Sequence, residues 1–339
     1  MHQRSTGTDF VNTVNAAILG FGRWGRILHE ASLSASRLRI SHVVTRSPDK
    51  VQEYCTTHDL VLGDEFEPIL KGDGIDAVII ATPHTQHASQ LLQCAHAGKH
   101  VYCEKPFTLT GNDAVKALDA LESSGCTTAI GHNRRFAPNT LALQDMLAAG
   151  ELGDPVHIEG VFNANMTAAK GQWRDSVDES PAGGMTSLGI HALDMMINLM
   201  GNVREVRATS RRVATSLSFD DCTVADLLFA NNAGGRLTTL TSTAMQWRII
   251  WYGTRGWAEL QDLDTLIVQP VEGERKTTHY PGYAYPGLPT ITSALQAFAG
   301  KIQGGAAFPV TPAQIAHGTA TLEAIIRSAE SRQTVAPGA

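Results

Sequence analysis

The sequence predicts an α/β domain with a doubly wound parallel sheet, followed by an α+β domain with a large, mostly antiparallel open sheet. In the first 130 residues, short apolar runs alternate with longer amphipathic stretches, which is typical of buried parallel strands joined by crossover helices. After Pro138, strands with two-residue alternation follow one another through short turns, which indicates antiparallel pairing. A chain of 339 residues is also long for one hydrophobic core, so two domains are expected.

The first domain is assigned to residues 13–134, after a loose N-terminal arm over residues 1–12. Its predicted strands are apolar, mostly β-branched runs: Val14–Leu19, Leu38–Val44, a weaker one within Leu60–Leu62, Ala77–Ile80, Val101–Cys103 and Thr127–Ile130. The helices predicted between them are Trp24–Ser34, Pro48–Thr57, Glu67–Lys71, Gln86–Ala97 and Gly111–Ser124.

The second domain, residues 135–339, is expected to bind substrate and to mediate oligomerisation. It is predicted to begin with a helix over Asn139–Ala149 and a strand over Val156–Asn163. A Gly-rich segment then leads into a helix near Thr186–Met200, and a series of strands occupies Val203–Val271. One face of this sheet is expected to cover the C-terminal helices, which could also pack back on the first domain; they are Ile291–Ile302 and Pro312–Glu330.

Composition excludes several classes of function. The formal net charge is −6, which does not indicate a nucleic-acid or anionic-membrane partner, because such partners favour proteins with basic clusters. The five cysteines are widely spaced and lack a C-x-x-C pair, which favours free thiols in a reducing compartment over disulfides or a zinc site. The chain has no run of about 18 apolar residues and no apolar signal segment at its start, so we expect a cytoplasmic protein without a membrane span or a metal.

A glycine-rich turn, Gly20-Phe21-Gly22-Arg23-Trp24-Gly25, follows directly after the first predicted strand. The string is weak evidence alone, but here it opens a predicted helix within a βαβ unit. Gly20 permits the tight turn, Gly22 lets the main chain approach a pyrophosphate, and Gly25 allows the helix to pack closely on the strand. The helix N-terminus offers free N–H groups and a positive dipole end. We therefore predict that this turn binds a dinucleotide; a turn without a ligand is the alternative.

The end of the second strand bears on the choice of dinucleotide. An NAD enzyme usually carries an acidic residue there, which holds the ribose 2′-OH. This chain has Thr45-Arg46-Ser47 instead, and the nearest acid, Asp49, lies beyond a proline. A guanidinium between two hydroxyls suits a 2′-phosphate. We therefore favour NADP(H), with NAD(H) possible; a solvated surface arginine is the alternative reading of Arg46.

Two later strands end in segments that meet at the carboxyl edge of the sheet, where such folds bind ligands. One ends in Ala81-Thr82-Pro83 and the next in Glu104-Lys105-Pro106. Glu104 and Lys105 are adjacent, so their side chains project to opposite sides. Beside an oxidised nicotinamide, positive charge and desolvation would lower the pKa of Lys105 into a range useful for acid–base work.

Several motifs now occur in order: G-x-G-x-x-G, A-T-P-x-x-x-H at Ala81–His87, A-G-K-H-V-x-x-E-K-P at Ala97–Pro106, R-R-F-x-P at Arg134–Pro138, Trp173-Arg174, and Gly183-Gly184 followed by Gly189-Ile190-His191 and Asp194. From Val14 to about Val335 the chain resembles the glucose–fructose oxidoreductase and inositol dehydrogenase family, often called Gfo/Idh/MocA. The resemblance implies a Rossmann domain, a second domain with an open sheet, and an active site between them.

The resemblance also implies roles for individual residues. Lys105 would exchange a proton with the substrate oxygen, His191 would be a catalytic acid/base, and Asp194 would hold a substrate hydroxyl. Spacing supports the last two, since residues three apart on a helix share a face, although a lone helical histidine is often structural. Further residues implied at the cofactor or substrate are His87, Glu104, Asn133, Trp173 and Arg174.

One position departs from the family pattern. Many sugar and inositol dehydrogenases of this family have an aspartate four residues before the histidine, and here that position is Ser187. A serine hydroxyl can orient an imidazole, or contact substrate, but cannot stabilise an imidazolium as a carboxylate does. Lys105 could therefore carry more of the proton transfer.

Together these observations predict an NAD(P)-dependent oxidoreductase that interconverts a secondary alcohol and a ketone on a sugar, sugar acid, inositol or similar polyol. A lyase or glycosidase that uses bound NAD in an internal redox cycle remains an alternative, as does a cofactor-sensing regulator without enzymatic activity, since fold does not fix function. The free face of the second sheet, with aromatic weight from Trp247, Trp251, Tyr252 and Trp257, is expected to join copies into a homodimer or homotetramer.

Overall fold

The computed structural model describes residues 13–338, and the predicted arm over residues 1–12 lies outside this range. The first sheet consists of six parallel strands: β1 (Val14–Leu19), β2 (Leu38–Val44), β3 (Val61–Gly63), β4 (Ala77–Ile80), β5 (His100–Cys103) and β6 (Thr128–Ile130). Their order is β3-β2-β1-β4-β5-β6, the doubly wound arrangement that places a ligand crevice at the carboxyl ends of the strands. The short apolar runs form strands because both faces of the sheet are covered.

The helices of this part are α1 (Arg23–Ser32), α2 (Gln52–Thr57), α3 (Glu67–Lys71), α4 (His84–His96) and α5 (Gly111–Ser123). Three predicted boundaries need correction. Helix α1 ends at Ser32, two residues before the predicted end at Ser34. The stretch predicted as one helix over Pro48–Thr57 begins with a short 3₁₀ turn, Pro48–Lys50, and only its second half is α-helical. Helix α4 begins at His84, two residues earlier than predicted, because Pro83 takes an extended conformation just before it.

The second sheet has eight strands: β7 (Pro155–Asn163), β8 (Val203–Arg211), β9 (Cys222–Phe229), β10 (Gly234–Leu240), β11 (Gln246–Gly253), β12 (Gly256–Gln261), β13 (Thr265–Pro270) and β14 (Lys276–His279). Their order is β14-β13-β12-β11-β7-β10-β9-β8. All neighbours pair antiparallel except β7 and β10, which run parallel. The predicted fold class, a Rossmann domain followed by a mostly antiparallel open sheet, is confirmed.

The remaining helices are α6 (Pro138–Ala148), α7 (Ile190–Met200), α8 (Leu288–Ile302) and α9 (Pro312–Ser331). Buried apolar residues form two clusters, one around each sheet. Helix α8 does not lie under the second sheet: Ile291, Leu295 and Phe298 belong to the cluster of the first. Helix α9 contributes Leu322 and Ile325 to the second cluster. Within residues 13–338, no helix is long and apolar enough to cross a membrane.

The aromatic residues of the second sheet divide between its two faces. Trp247 and Trp251 are buried in the core, whereas Tyr252 and Trp257 are half-buried and form a cross-strand pair between β11 and β12. The alternation of side chains along a strand explains the division. The prediction that all four aromatic residues lie on the free face of the sheet is therefore wrong for Trp247 and Trp251.

Candidate active site

The glycine turn has the geometry that its spacing predicts. Gly20 has φ +86°, and a Cβ there would lie 2.5 Å from the carbonyl oxygen of Ala81 at the end of β4. A Cβ on Gly25 would collide with the carbonyl oxygen of Gly20. At Gly22, in contrast, a Cβ would meet no protein atom within 4 Å, and the φ of −77° is open to any residue. Packing therefore explains Gly20 and Gly25, while the space at Gly22 suits a ligand.

This turn forms one wall of a cavity of about 860 Å³ at the carboxyl edge of the first sheet. The predicted residues that line it are Gly20, Phe21, Gly22, Arg23, Trp24, Thr45, Arg46, Ser47, Ala81, Thr82, Pro83, Trp173 and Arg174. Helix α1 starts at this wall without a side-chain cap, so its first N–H groups remain available to an anion. The residues present fit an elongated dinucleotide with its pyrophosphate on the glycine turn.

The far end of the cavity lies at the end of β2. Arg46 and Ser47 are exposed there, while Thr45 is half-buried and its Oγ1 accepts a hydrogen bond from the Ser47 N–H. Asp49 is not part of the lining, as the sequence predicts from the intervening proline. Polar residues that the sequence analysis did not select also line the cavity; they are Arg26, Glu30, Lys50, Asp64, Gln86, Gln90 and Gln172.

Trp173 and Arg174 belong to the same cavity as the glycine turn. The Arg174 guanidinium carbon lies 4.1 Å from the Trp173 ring centroid, and the edge of that ring packs against His84 at 5.0 Å. Glu179 anchors the segment, because its carboxylate accepts hydrogen bonds from the Thr85 N–H and hydroxyl. Both predicted residues therefore border the cofactor cavity rather than a separate substrate pocket.

His87 needs correction, since it was predicted to contact the cofactor. The ring has no exposed surface; Nδ1 lies 2.8 Å from the carbonyl oxygen of Pro106 and Nε2 lies 3.1 Å from that of Thr82. A neutral imidazole donates to one of these carbonyls, and burial lowers its pKa. His87 therefore braces the turns after β4 and β5 from behind.

Lys105 lies at the inner end of the site, directly after β5. Its Nζ donates a hydrogen bond to the main-chain carbonyl of Ser187, at 3.1 Å. Burial lowers the pKa of Lys105 to about 8; the carboxylate of Glu104 opposes this shift, and the charges of Arg174 and Arg134 add to it. An amine with this pKa exchanges protons readily near neutral pH.

The carboxylate of Glu104 lies inside the protein, where it accepts a hydrogen bond from the main-chain N–H of Lys105 at 3.4 Å. The residue is 5% exposed, and its carboxylate occupies the space where Gly131 would carry a Cβ. Burial raises the pKa of Glu104, and the neighbouring Lys105 opposes the shift. Glu104 therefore acts on the site through its charge rather than through the lining of the cofactor cavity.

His191 is the second predicted proton-transfer residue, in the first turn of α7. Its Nδ1 is buried without a hydrogen-bond partner among the described residues. Burial holds its pKa well below the usual range, and the charges of Lys105 and Arg134 add to this effect. The ring packs against Phe162 at 5.7 Å and against a second imidazole, His132, at 6.3 Å between centroids. His191 is therefore neutral at physiological pH.

Asp194 lies one turn further along α7, but its carboxylate is already engaged. Arg135 donates from Nη2 to Oδ1 at 2.7 Å and from Nε to both oxygens at 3.0 and 3.1 Å. His132 Nε2 lies 3.7 Å from the same carboxylate. The structure thus places Asp194 in a buried ion pair rather than facing a substrate hydroxyl.

Ser187 and Asn133 also contact protein atoms. Ser187 lies in a single π-helical turn, Met185–Gly189, before α7, where the sequence predicted regular helix. Its carbonyl accepts from Lys105, while its hydroxyl donates to Met166 Sδ at 3.7 Å and not to His191. Asn133 donates from its side-chain amide to the Thr290 hydroxyl at 2.7 Å. Such π turns frequently occur at functional sites.

In the sequence the string R-R-F-x-P served only as a family signature, and the roles of its two arginines were not predicted. Arg135 neutralises Asp194, and Arg134 lowers the pKa of both Lys105 and His191. The signal was the pair of arginines four and five residues after the end of the sixth strand, at the same sheet edge as Lys105.

Comparison with known families agrees with the geometry. A family model described as an oxidoreductase family with an NAD-binding Rossmann fold matches residues 14–132, and the GFO/IDH/MocA C-terminal domain matches residues 140–259. The chain belongs to the Gfo/Idh/MocA oxidoreductase family. Its nucleotide-binding domain is therefore of the NAD(P) type.

The individual relatives of this chain have low sequence identity to it. A scyllo-inositol 2-dehydrogenase (NADP(+)) of Bacillus subtilis is 28% identical over 203 residues, 60% of this chain and 56% of that protein. A trans-1,2-dihydrobenzene-1,2-diol dehydrogenase of Bos taurus is 28% identical over 255 residues, 74% of each. The chain thus spans little more than half of the first relative. Levoglucosan dehydrogenase in complex with NADH shares the fold, with a TM-score of 0.88 at 20% identity over 96% of this chain and 99% of that one.

Proposed function

We propose that the protein is an NAD(P)-dependent oxidoreductase that interconverts a secondary alcohol and a ketone on a sugar, sugar acid, inositol or similar polyol. The observation that carries the proposal is the buried Lys105 amine, whose pKa is lowered to about 8 and which the Ser187 carbonyl holds at the same sheet edge as the cavity that suits a dinucleotide. The relatives named above as inositol and dihydrodiol dehydrogenases support the substrate class.

The proposed chemistry divides between the cofactor and the protein. A nicotinamide cofactor supplies a hydride acceptor or donor at its C4 atom. Lys105 as the neutral amine accepts the hydroxyl proton when an alcohol is oxidised, and as the ammonium returns it when a ketone is reduced. His191, held neutral by burial, assists as a hydrogen-bond partner of the reacting oxygen. Asp194 positions this centre through its ion pair with Arg135.

We further propose that NADP(H) is the preferred cofactor. Arg46, exposed at the far end of the cavity, supports this choice, because a guanidinium binds a 2′-phosphate through charge-assisted hydrogen bonds. Lys50 and Arg26 line the same end and add positive charge. The lining also contains two acidic residues, Asp64 and Glu30, which would instead favour a free ribose hydroxyl.

The proposal includes assembly into a dimer or tetramer through the second sheet. Tyr252 and Trp257 remain half-buried on the face opposite the core and give that face an aromatic pair. Partly aromatic sheet faces of this kind suit an isologous twofold contact.

The function is tested with purified protein, NADP⁺ or NAD⁺, and a panel of sugars, sugar acids and inositols, with formation of reduced cofactor followed by fluorescence. Turnover of one of them that is lost in Lys105→Met supports the proposal. Product formation with no net reduced cofactor would instead indicate an internal redox cycle. A panel without any turnover in either direction would remove the basis of the proposal.

A further inference from the structure

A second cavity, of about 170 Å³, opens beside the reacting centre. Its polar and aromatic lining is formed by Arg134, Phe162, Trp247, Asp262, Asp264 and Tyr285. Phe162 connects it to the centre, since its ring lies 5.7 Å from the His191 ring and 4.6 Å from the guanidinium carbon of Arg134. Nothing in the proposed proton transfer uses this second cavity.

Arg134 is the buried cation of the second cavity. It is 7% exposed, its Nε has no hydrogen-bond partner, and no carboxylate in residues 13–338 forms an ion pair with it. Its guanidinium carbon lies 4.6 Å from the ring centroid of Phe162 and 4.4 Å from that of Trp247, so both rings pack against the cation. Because a buried charge without a hydrogen-bonded partner is costly, an unpaired N–H at a cavity wall indicates a ligand.

The lining of the second cavity also contains two acidic residues. Asp262 and Asp264 both line it, and burial together with the charge of Asp264 raises the pKa of Asp262, while Arg134 lowers it. The lining therefore combines the hydrogen-bond donors of Arg134 with the carboxylate acceptors of Asp262 and Asp264.

A ligand that makes hydrogen bonds both with Arg134 and with the two carboxylates has a restricted chemistry. A hydroxyl group both donates and accepts, whereas a carboxylate or phosphate group only accepts at neutral pH. An anionic group facing Arg134 would lie near two carboxylates, and like charges held together in a partly dry site oppose binding. The cavity is also smaller than the roughly 300–1,000 Å³ of typical ligand pockets, so it suits a single ring.

We propose that the second cavity is the substrate subsite and that it selects a neutral cyclic polyol over sugar acids and sugar phosphates, with Arg134 and Asp262 as the specificity-determining residues. The proposal rests on the proposed function and narrows it. The ring lies between Arg134, which donates to ring hydroxyls, and Asp262, which accepts from them.

Asp262→Asn is the sharpest variant. Asp262 has φ +50°, a conformation that asparagine tolerates as well as aspartate, so we expect the variant to keep the fold and to remove the charge. The matched control is Asp226→Asn on β9, since Asp226 is exposed and forms a surface ion pair with Arg236 at 3.6 Å.

The experiment measures kcat/KM and, by calorimetry in the presence of NADPH, the Kd for D-glucose and D-glucuronate, which differ in one carboxylate, and for myo-inositol. We expect the native protein to bind and turn over the neutral rings about tenfold or more better than D-glucuronate. In Asp262→Asn this ratio should fall by about tenfold, because D-glucuronate then binds; tenfold is the scale of one charged contact. Arg134→Met should raise KM for the neutral ring about tenfold or more on the same scale, with the Kd for NADPH unchanged. Asp226→Asn should leave every value unchanged.

Each result decides between the two proposals. The subsite assignment is wrong if Asp262→Asn turns over substrates with the native selectivity, or if the native protein prefers D-glucuronate. Either result leaves the proposed function intact. Selective binding of the neutral rings without turnover supports the subsite and counts against the proposed function. If no ring compound binds at all, the subsite assignment is wrong.

Discussion

The ammonium group of Lys105 donates a hydrogen bond to the main-chain carbonyl of Ser187, with 3.1 Å between Nζ and the oxygen. This contact joins the end of β5 to the π turn before α7 and so ties the first sheet to the helix that carries His191. A main-chain carbonyl cannot ionise, so it fixes the position of the amine without adding a titrating group of its own. The acid–base behaviour of the site therefore depends mainly on Lys105.

Replacing Lys105 by Met should lower turnover by about 10²–10⁴-fold, the usual effect of losing a general acid or base. Cofactor binding should survive, because Lys105 is not part of the lining of the large cavity. Steady-state rates and NADPH fluorescence titration check the two parts separately. The matched control is Lys116→Met, an exposed residue on α5. A variant that loses NADPH binding and little chemistry would show that Lys105 is a cofactor ligand only.

The pH dependence follows from the lowered pKa of Lys105. Alcohol oxidation needs the neutral amine, so its kcat/KM should rise with pH and level off above about 8, while ketone reduction needs the ammonium and should decline over the same range. Glu104→Gln removes a charge that raises this pKa, so the midpoint should move to lower pH. Glu122→Gln, at an exposed position on α5, should leave it in place. Profiles that coincide for all three proteins would contradict the assignment.

Cofactor selection should depend on Arg46. We expect tighter binding of NADPH than of NADH, and Arg46→Ala should narrow the difference by about 1.5–3 kcal/mol, the contribution of a hydrogen bond to a charged group. Fluorescence titration with both cofactors measures the difference directly, and Arg39→Ala, an exposed arginine on β2, serves as control. An equal or stronger preference for NADH in the native protein would contradict the argument from Thr45-Arg46-Ser47.

Asp194→Asn should reduce the free energy of unfolding by about 3–5 kcal/mol, because it leaves Arg135 buried without its partner. Replacing both residues, in Arg135→Met/Asp194→Leu, should recover part of that loss, as buried ion pairs replaced by apolar residues often do. Urea unfolding of Arg135→Met, Asp194→Leu and the double variant gives the coupling between the two residues. If Asp194→Asn instead unfolds like the native protein and loses only substrate affinity, the carboxylate is a substrate ligand.

Assembly is tested by light scattering at micromolar concentration, which should report at least twice the 36.3 kDa of one chain. Trp257→Glu on β12 should lower that mass, because a charge on the aromatic face of the second sheet opposes its burial. Glu272→Gln, beyond β13 and exposed, is the control for a surface change elsewhere. A native protein with the mass of one chain would remove this proposal.

The sequence was informative where structure depends on local spacing. The roles of the three glycines in the glycine turn were predicted from residues within one βαβ unit. The structure shows the predicted close contacts at Gly20 and Gly25. The position of Lys105 at the sheet edge likewise follows from the strand that precedes it.

Predictions were weaker where a side chain's environment comes from distant parts of the chain. His87 lies on the predicted helix, but two carbonyls, from Thr82 and Pro106, cover both its ring nitrogens. Asp194 shares a helix with His191, yet its partner Arg135 is 59 residues away in sequence. Helical spacing gives the face on which a residue lies and not what packs against that face. The π turn around Ser187 was missed for the same reason, since periodicity alone favours regular helix.

The open space at Gly22 separates the folding role of the glycine turn from its role in binding the cofactor. Gly20 and Gly25 are required by the fold itself, whereas the backbone at position 22 would accept a methyl group that touches nothing. A change there is therefore invisible to folding and apparent only when a dinucleotide is present. Selection on the architecture of the sheet and selection on affinity for the coenzyme consequently act on different glycines of one six-residue string.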